Sequence, residues 1–376
     1  MYVPAWPGLN PVSLLRPDAR ELPFPLSSPN RSTFYRARTA LYHLFRALNL
    51  RRDETVLVPD YHHGNEILAI RAAGAAVRAY PIRRDLQPDL DVLERVARAS
   101  NARALLAIHF LGWPQPIEAL RAFCRERGMV LVEDCALSLL SETGGGPLGT
   151  FGDYAVFCLY KTVPVPNGGL LVQNGNLLDG LGRRRLRSCG LPSVAGRTLE
   201  LVLEAVRNRW DRVGAALFSV KRSAGRALRA LHVRPLPVGD IGFAEADVEV
   251  DMSALCRPLL RKFDYEDVRR RRRRNFLLLR EKLAGKVALL CGELPPGVCP
   301  LFFPILVADK RPAAEALWSR GVSAVEFWNH GDPEASTAGS TDAEFLRRHV
   351  LELPIHQSLA PSQVEYMADQ VLRLSL

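Results

Sequence analysis

Residues 130–172 read VLVEDCALSLLSETGGGPLGTFGDYAVFCLYKTVPVPNGGLLV. Three runs in and beside this stretch, MVLVEDCA, YAVFCLY and GGLLVQN, have the short, near-continuous apolar character of strands buried on both faces. Lys161 closes the second run. The chain holds 6 lysines against 44 arginines, and Lys161 is the first lysine from the N-terminus. A surface charge here would have been written as arginine. Lysine differs in that its amine can lose its proton when desolvated and then attack a carbonyl carbon. The Pro-x-Pro-x-Gly-Gly turn that follows supplies a rigid backbone able to approach the amine closely.

Outward from this stretch, strand-like and helix-like runs alternate. RTALYHLFRALNL, HGNEILAIRAAGA, DLDVLERVARAS and PIEALRAFCRERG have helical period, and ETVLVPD, AVRAYPI and ARALLAIHF read as strands. This alternation predicts an α/β fold with a mainly parallel central sheet flanked by helices, with chemistry beyond the carboxyl ends of its strands. The last hundred residues give strand, helix, strand, helix, a compact α+β unit. We expect an N-terminal arm over 1–30, a large domain over 31–255 and a small C-terminal domain over 256–376.

Composition excludes more than it selects. With 48% hydrophobic and 24% charged residues in 376, the chain is ordinary globular protein. The first 30 residues do not read as a signal peptide, and no 18-residue apolar run predicts a membrane span. Seven cysteines without Cys-x-x-Cys spacing suggest neither a disulfide framework nor structural zinc, and point to a reduced, cytoplasmic setting. Asp60, His62 and His63 lack any regular metal-ligand spacing, so no metal is expected. No Walker or Gly-x-Gly-x-x-Gly loop follows a strand. The net charge of +10 suits a phosphorylated partner. Residues 198–231 form a basic amphipathic pattern, one helix or two broken near Gly214 or Gly225, which packs on the fold or makes a peripheral membrane or protein contact. The six arginines 269–274 lie in a further helical pattern and read mainly as a solvated face, with no nucleic-acid motif beside them.

A carbonyl-binding lysine is commonly paired with pyridoxal phosphate, whose ring nitrogen keeps its proton beside a carboxylate. Asp134 ends a strand 27 residues before Lys161 and suits that position. With Glu133-Asp134-Cys135-Ala136, Gly152-Asp153, Lys161 and Gly168-Gly169 in this order, the stretch resembles the DegT/DnrJ/EryC1/StrS sugar aminotransferases of the aspartate aminotransferase fold (fold type I). The similarity extends over roughly 30–175 and 300–376. It takes in the Val-Pro strand end at Pro59, the His-x-x-Gly of His109 and the closing Leu-Pro-x-His of LELPIH.

The resemblance implies that Lys161 carries pyridoxal 5'-phosphate and Asp134 pairs with its ring nitrogen. His63 would stack on the ring, His109 would lie at a strand end beside it, and Arg38, Thr39 and Ala40 would open a helix that cups the phosphate. Cys158 takes the place of the family's serine before the lysine. It further implies a homodimer that moves an amino group from glutamate or a similar donor to a nucleotide-linked keto sugar, in polysaccharide or secondary-metabolite synthesis. Departures from the pattern are Ala37-Arg38-Thr39 for Ser-Gly-Thr, Leu137 for Gln, Asn167 for Glu, and VEVDMSAL without its Asn-x-Arg. They motivate the alternative of a family member that keeps the fold as a binding or scaffold protein.

Overall fold

The computed structural model describes the chain apart from residue 20 and residues 182–183, 231–241, 336–339 and 375–376, and apart from the side chains of 221–230 and 246. The strand runs of residues 31–173 become β1 (Arg31–Phe34), β2 (Thr55–Pro59), β3 (Ala76–Tyr80), β4 (Ala102–Ile108), β5 (Val130–Cys135), β8 (Tyr154–Cys158) and β9 (Gly169–Gln173). A two-residue hairpin, β6 (Glu142–Thr143) and β7 (Gly146–Pro147), lies between β5 and β8. The main sheet has the order β1-β9-β8-β5-β4-β2-β3. Strands β3, β2, β4, β5 and β8 pair in parallel, whereas β9 pairs antiparallel with β8 and β1 and so alone runs against the rest.

Crossovers are made by α1 (Ala37–Leu48), α2 (Asn65–Ala72), α3 (Leu90–Arg98) and α4 (Ile117–Glu126). Because helices cover both faces, every residue of β8 and β9 is buried. Pairing in parallel brings Pro59, Ile108, Cys135 and Cys158 to one edge of the sheet. The short edge strand β1 escapes a hydrophobicity reading because only its Phe34 is buried.

Residues 198–231 form two helices rather than one, and the break falls at Trp210, four residues before Gly214. Helix α5 (Leu191–Arg209) ends at Trp210 and α6 (Asp211–Ala230) begins at once; residue 231 lies outside the described residues. Gly214 has another purpose: a Cβ there would lie 2.3 Å from the Arg207 Cα, so its absence lets α6 turn back hard against α5. The N-terminal arm packs on α5, with Leu9 N–H donating to Leu201 O at 2.9 Å and the Tyr2 hydroxyl to Glu204 Oε1 at 2.7 Å. Trp210, Val213, Leu217 and Val220 are exposed.

Beyond α7 (Cys256–Leu260), helix α8 (Tyr265–Leu283) begins at Asp264, whose side chain accepts from Asp267 N–H. It packs with α11 (Pro361–Val371) over the antiparallel pair β10 (Phe302–Leu306) and β11 (Val350–Pro354), between which lie α9 (Lys310–Ser319) and α10 (Thr341–His349). Phe276, Leu279, Leu283, Phe303, Ile305, Leu351, Leu353 and Met367 form a second apolar cluster there. The arginine run on α8 is divided. Arg272 is 1% exposed, while Arg269 pairs with Glu142 and Arg270 and Arg271 with Asp267. No described helix is long and apolar enough to cross a membrane.

Candidate active site

At the carboxyl edge of the sheet, a cavity of about 220 Å³ lies between the N-terminus of α1, the end of β5 and the turn after β8. Lys161 reaches it from that turn. Thr162 N–H and Val163 N–H both bond back to Leu159 O, and the Lys161 Nζ stands 5.7 Å from the centre of the Phe327 ring. The turn is pinned from behind: Thr162 O accepts from Arg272 Nη2 at 3.1 Å and from Gln357 Nε2 at 2.9 Å. The Gly168-Gly169 pair has a steric reason. Gly168 has φ 134°, and a Cβ on Gly169 would sit 2.4 Å from the Arg36 carbonyl carbon, so only glycine lets β9 pass the start of α1.

Asp134 and its neighbour Glu133 point to opposite faces of β5, as alternate strand residues must. Glu133 is fully buried. Its Oε1 accepts from Phe151 N–H and Gly152 N–H at 2.8 and 2.6 Å, and its Oε2 from Gly149 N–H at 2.8 Å and His109 Nε2 at 3.0 Å. Burial pushes its pKa up, but His109 and these N–H groups outweigh burial and hold it below the usual carboxylate range. Asp134 faces the cavity, and among the described residues accepts one hydrogen bond, from Ala136 N–H at 2.8 Å. Burial, aided by the charge of Glu66, pushes its carboxyl up from 3.8 to about 6, against Ala136, Lys161 and His109. It is a dry carboxylate placed where a positively charged partner would relieve it.

Of the other expected residues, His63, Arg38 and Cys158 line the cavity. The His63 Nδ1 is buried with no hydrogen-bond partner. Burial pushes its imidazole pKa down, and despite Glu66 the charges of Lys161 and Arg38 act in the same direction, so the ring is neutral. Burial pushes the Cys158 thiol up. Helix α1 starts at Ala37, its N-cap residue Arg36 makes no side-chain capping hydrogen bond, and Arg38 donates to Gly242 O.

Three residues lie off the cavity wall. Thr39 and Ala40 are buried one step along α1, and Ala37 and Leu41 line the cavity instead. His109 is also a correction. Its Nδ1 accepts Gln115 N–H at 3.0 Å, so Nε2 carries the proton and donates to Glu133. With both nitrogens engaged, it orients Glu133 and does not line the cavity. His109, Glu133 and Cys135 bring potential metal ligands within 4.8 Å of one another, yet the imidazole and carboxylate are already hydrogen-bonded and burial pushes the thiol well up. The cluster is a packing knot of the fold.

Sequence reasoning missed Trp6, Glu66, Arg197, Phe327 and Trp328, all on the cavity wall. Most arrive from far along the chain, and no local pattern marks them. The backbone of Phe327 is held at both ends: its N–H donates to Glu352 Oε2 at 3.2 Å and its O accepts from Lys310 Nζ at 2.8 Å. Burial pushes Glu352 up to about 8 and Lys310 down, and each opposes the other's shift. Trp328 has φ 53°, with its O bonded by Arg347 at 2.8 Å. Asn167, at a departure from the motif, accepts Ser253 N–H at 2.9 Å and ties the Gly-Gly turn to the chain before α7. A larger open groove, about 1420 Å³, runs along α8, but its Arg269 and Arg273 already bond Glu142, Pro295 O and Val298 O.

Residues 33–221 match the model of the DegT/DnrJ/EryC1/StrS aminotransferase family. Over 159 residues the chain is 30% identical to GDP-perosamine synthase of Vibrio cholerae, covering 41% of this chain and 42% of that protein. Over 252 residues it is 29% identical to dTDP-4-dehydro-2,3,6-trideoxy-D-glucose 4-aminotransferase of Saccharopolyspora spinosa, covering 63% and 62%. The chain thus spans from about two fifths to three fifths of these relatives' length. In fold it is similar to the Helicobacter pylori aminotransferase PseC, involved in pseudoaminic acid biosynthesis, with TM-score 0.67, 17% identity and 99% and 98% of the two chains covered. The sugar aminotransferase CalS13 of Micromonospora echinospora gives 0.63, 18%, 98% and 99%. These structures are of pyridoxal-phosphate fold type I.

Proposed function

The chain belongs to the DegT/DnrJ/EryC1/StrS aminotransferase family, and from that premise we propose that it is a pyridoxal-phosphate-dependent sugar aminotransferase. The amino group comes from glutamate or a similar donor and goes to a keto sugar carried on a nucleotide, in polysaccharide or secondary-metabolite biosynthesis. The observation that carries this reading is the meeting of Lys161 and the buried, undersatisfied Asp134 in one cavity.

The residues present fit the cofactor. The N-terminus of α1, where N-cap Arg36 makes no side-chain capping bond, suits a phosphate together with Arg38; among the described residues the buried His63 Nδ1 has no partner, and Asp134 is a desolvated acid with one backbone N–H donor. When bound, pyridoxal phosphate supplies an electron sink that acidifies the carbon next to the amine. Lys161 would hold the cofactor through Nζ and, when its amine is free, would take the substrate's α-proton on Nζ and return it as general base and acid. Asp134 would hold the proton of the ring nitrogen, and His63 would present a neutral face to the ring. Phe327, whose ring centre lies 5.7 Å from Lys161 Nζ, would help to keep water from that amine.

We place the enzyme in the cytoplasm as a homodimer. The cysteines, all seven free, support a reducing setting, and sedimentation at micromolar concentration reads the dimer. The test of function is the absorbance of the purified protein. A near-visible band that borohydride removes, that Lys161→Ala never forms and that glutamate shifts is the expected outcome. A colourless protein that takes up no added cofactor would instead mark a family member retained as a binding or scaffold protein.

A further inference from the structure

Helix α5 brings into the cavity a cation that lies outside every motif of the resemblance. Arg197 lines the wall shared with Ala37 and Arg38. Its Nη1 holds Glu200, less than one turn further on, at 3.1 Å, while its Nε is buried with no hydrogen-bond partner. A buried donor left without an acceptor is costly, and an oxygen of a ligand in the cavity would relieve it.

Ala37 and Arg38, in the first turn of α1, line the same cavity as Arg197. The N-cap residue Arg36 makes no side-chain capping hydrogen bond there. The cavity's carboxylates, Asp134 and Glu66, belong to other segments, at the end of β5 and the first turn of α2. Two guanidinium groups and a helix N-terminus together match a dianion with several acceptor oxygens.

We propose that Arg197 is an anion-binding residue of the cavity, closing a phosphate-monoester site from within the same chain. The choice of the cofactor's phosphate as the occupant rests on the function proposed above; the phosphate chemistry does not. Arg197 donates through Nε, and Glu200 fixes the guanidinium plane through Nη1.

The experiment compares the full-length wild type, Arg197→Gln and Arg197→Lys, stripped of bound cofactor. Binding is read by tryptophan fluorescence and thermal shift with pyridoxal phosphate, pyridoxal, inorganic phosphate and uridine diphosphate. Loss of one charge-assisted hydrogen bond predicts that Arg197→Gln weakens pyridoxal phosphate about 10- to 100-fold, while pyridoxal, which lacks the phosphate, changes by less than about twofold. Stabilisation by inorganic phosphate is lost in Arg197→Gln and partly recovered in Arg197→Lys. If uridine diphosphate rather than pyridoxal phosphate is the ligand that loses affinity, the phosphate served is the substrate's. Equal weakening of pyridoxal and its phosphate, or no weakening of any phosphate ligand, overturns the inference. A wild type that binds neither vitamer would remove the proposed function, and the response to inorganic phosphate then decides the role of Arg197: a response lost in Arg197→Gln upholds it, and no response overturns it.

Discussion

The two faces of strand β5 carry adjacent carboxylates with opposite fates. Glu133, on one face, is saturated by four N–H donors and is held below the usual carboxylate range. Asp134, on the other, has a single backbone donor and is pushed up to about 6. Both are buried, so burial does not distinguish them. The difference is whether the fold supplies the compensating donors or leaves the group wanting one. A fully satisfied buried acid is part of the scaffold; an undersatisfied one beside a lysine marks a place kept for a ligand.

Asp134→Asn is the sharpest way to break that contrast. Turnover should fall by about 10²- to 10³-fold, the effect of removing one fixed electrostatic partner of the reacting group. Stability of the cofactor-free protein should move the other way. The folded pKa of Asp134 is raised above its ordinary 3.8, so its carboxylate costs stability above pH 6, and that cost disappears as pH falls below 3.8. Cofactor-free Asp134→Asn should therefore exceed wild type by about 1–3 kcal/mol at pH 7.5, with the gap closing towards pH 4. Urea unfolding at both pH values measures it. Equal stabilities at pH 7.5 would mean that Asp134 is not held at a desolvation cost.

Glu133→Gln tests the opposite face. Its amide would set an N–H against Gly149, Phe151 or Gly152 and should cost about 2–3 kcal/mol. The folded pKa here is lowered, so Glu133 stabilises above its ordinary 4.5, and that contribution is lost as pH falls through the folded value. The variant is thus weaker than wild type at neutral pH and converges with it in acid, whereas the Asp134 variant is stronger at neutral pH and converges in acid. Cofactor affinity of the folded fraction should change far less than for Asp134→Asn. A matching loss of affinity would show that the two faces are not separate in role.

The sheet was legible because parallel strands covered on both faces leave unbroken apolar runs, and Lys161 because an arginine-rich chain departs from its habit there. Asp134 was legible as a strand end. The remaining wall was not, since Trp6, Arg197, Phe327 and Trp328 reach the cavity only through tertiary packing across long separations in sequence. His109 was misplaced for a related reason. A strand-end histidine reads the same whether its nitrogens face a ligand or, as here, a buried glutamate and a backbone N–H. The break expected near Gly214 falls at Trp210, and Gly214 is a point of close approach between α5 and α6.

The arginine run of α8 repeats the contrast at smaller scale, and two substitutions resolve it. Arg272 is enclosed, and burial pushes its pKa down to about 10. It has no carboxylate partner among the described residues and donates instead to Gln357 Oε1, Pro300 O, Leu301 O and Thr162 O. Arg272→Met keeps much of the packing but withdraws those donors, and should cost about 2 kcal/mol. Because Thr162 O belongs to the turn that carries Lys161, the same change should shift the absorbance of the lysine-bound cofactor as well as the melting temperature. Arg270, two positions away, is exposed and among the described residues pairs only with Asp267; Arg270→Ala should stay within about 0.5 kcal/mol of wild type with the spectrum unchanged. Similar small effects from both would return the run to the solvated face that its sequence suggests. A difference in stability without a spectral shift would limit Arg272 to holding the small sheet's helix in place, and leave Gln357 as the group that fixes the turn.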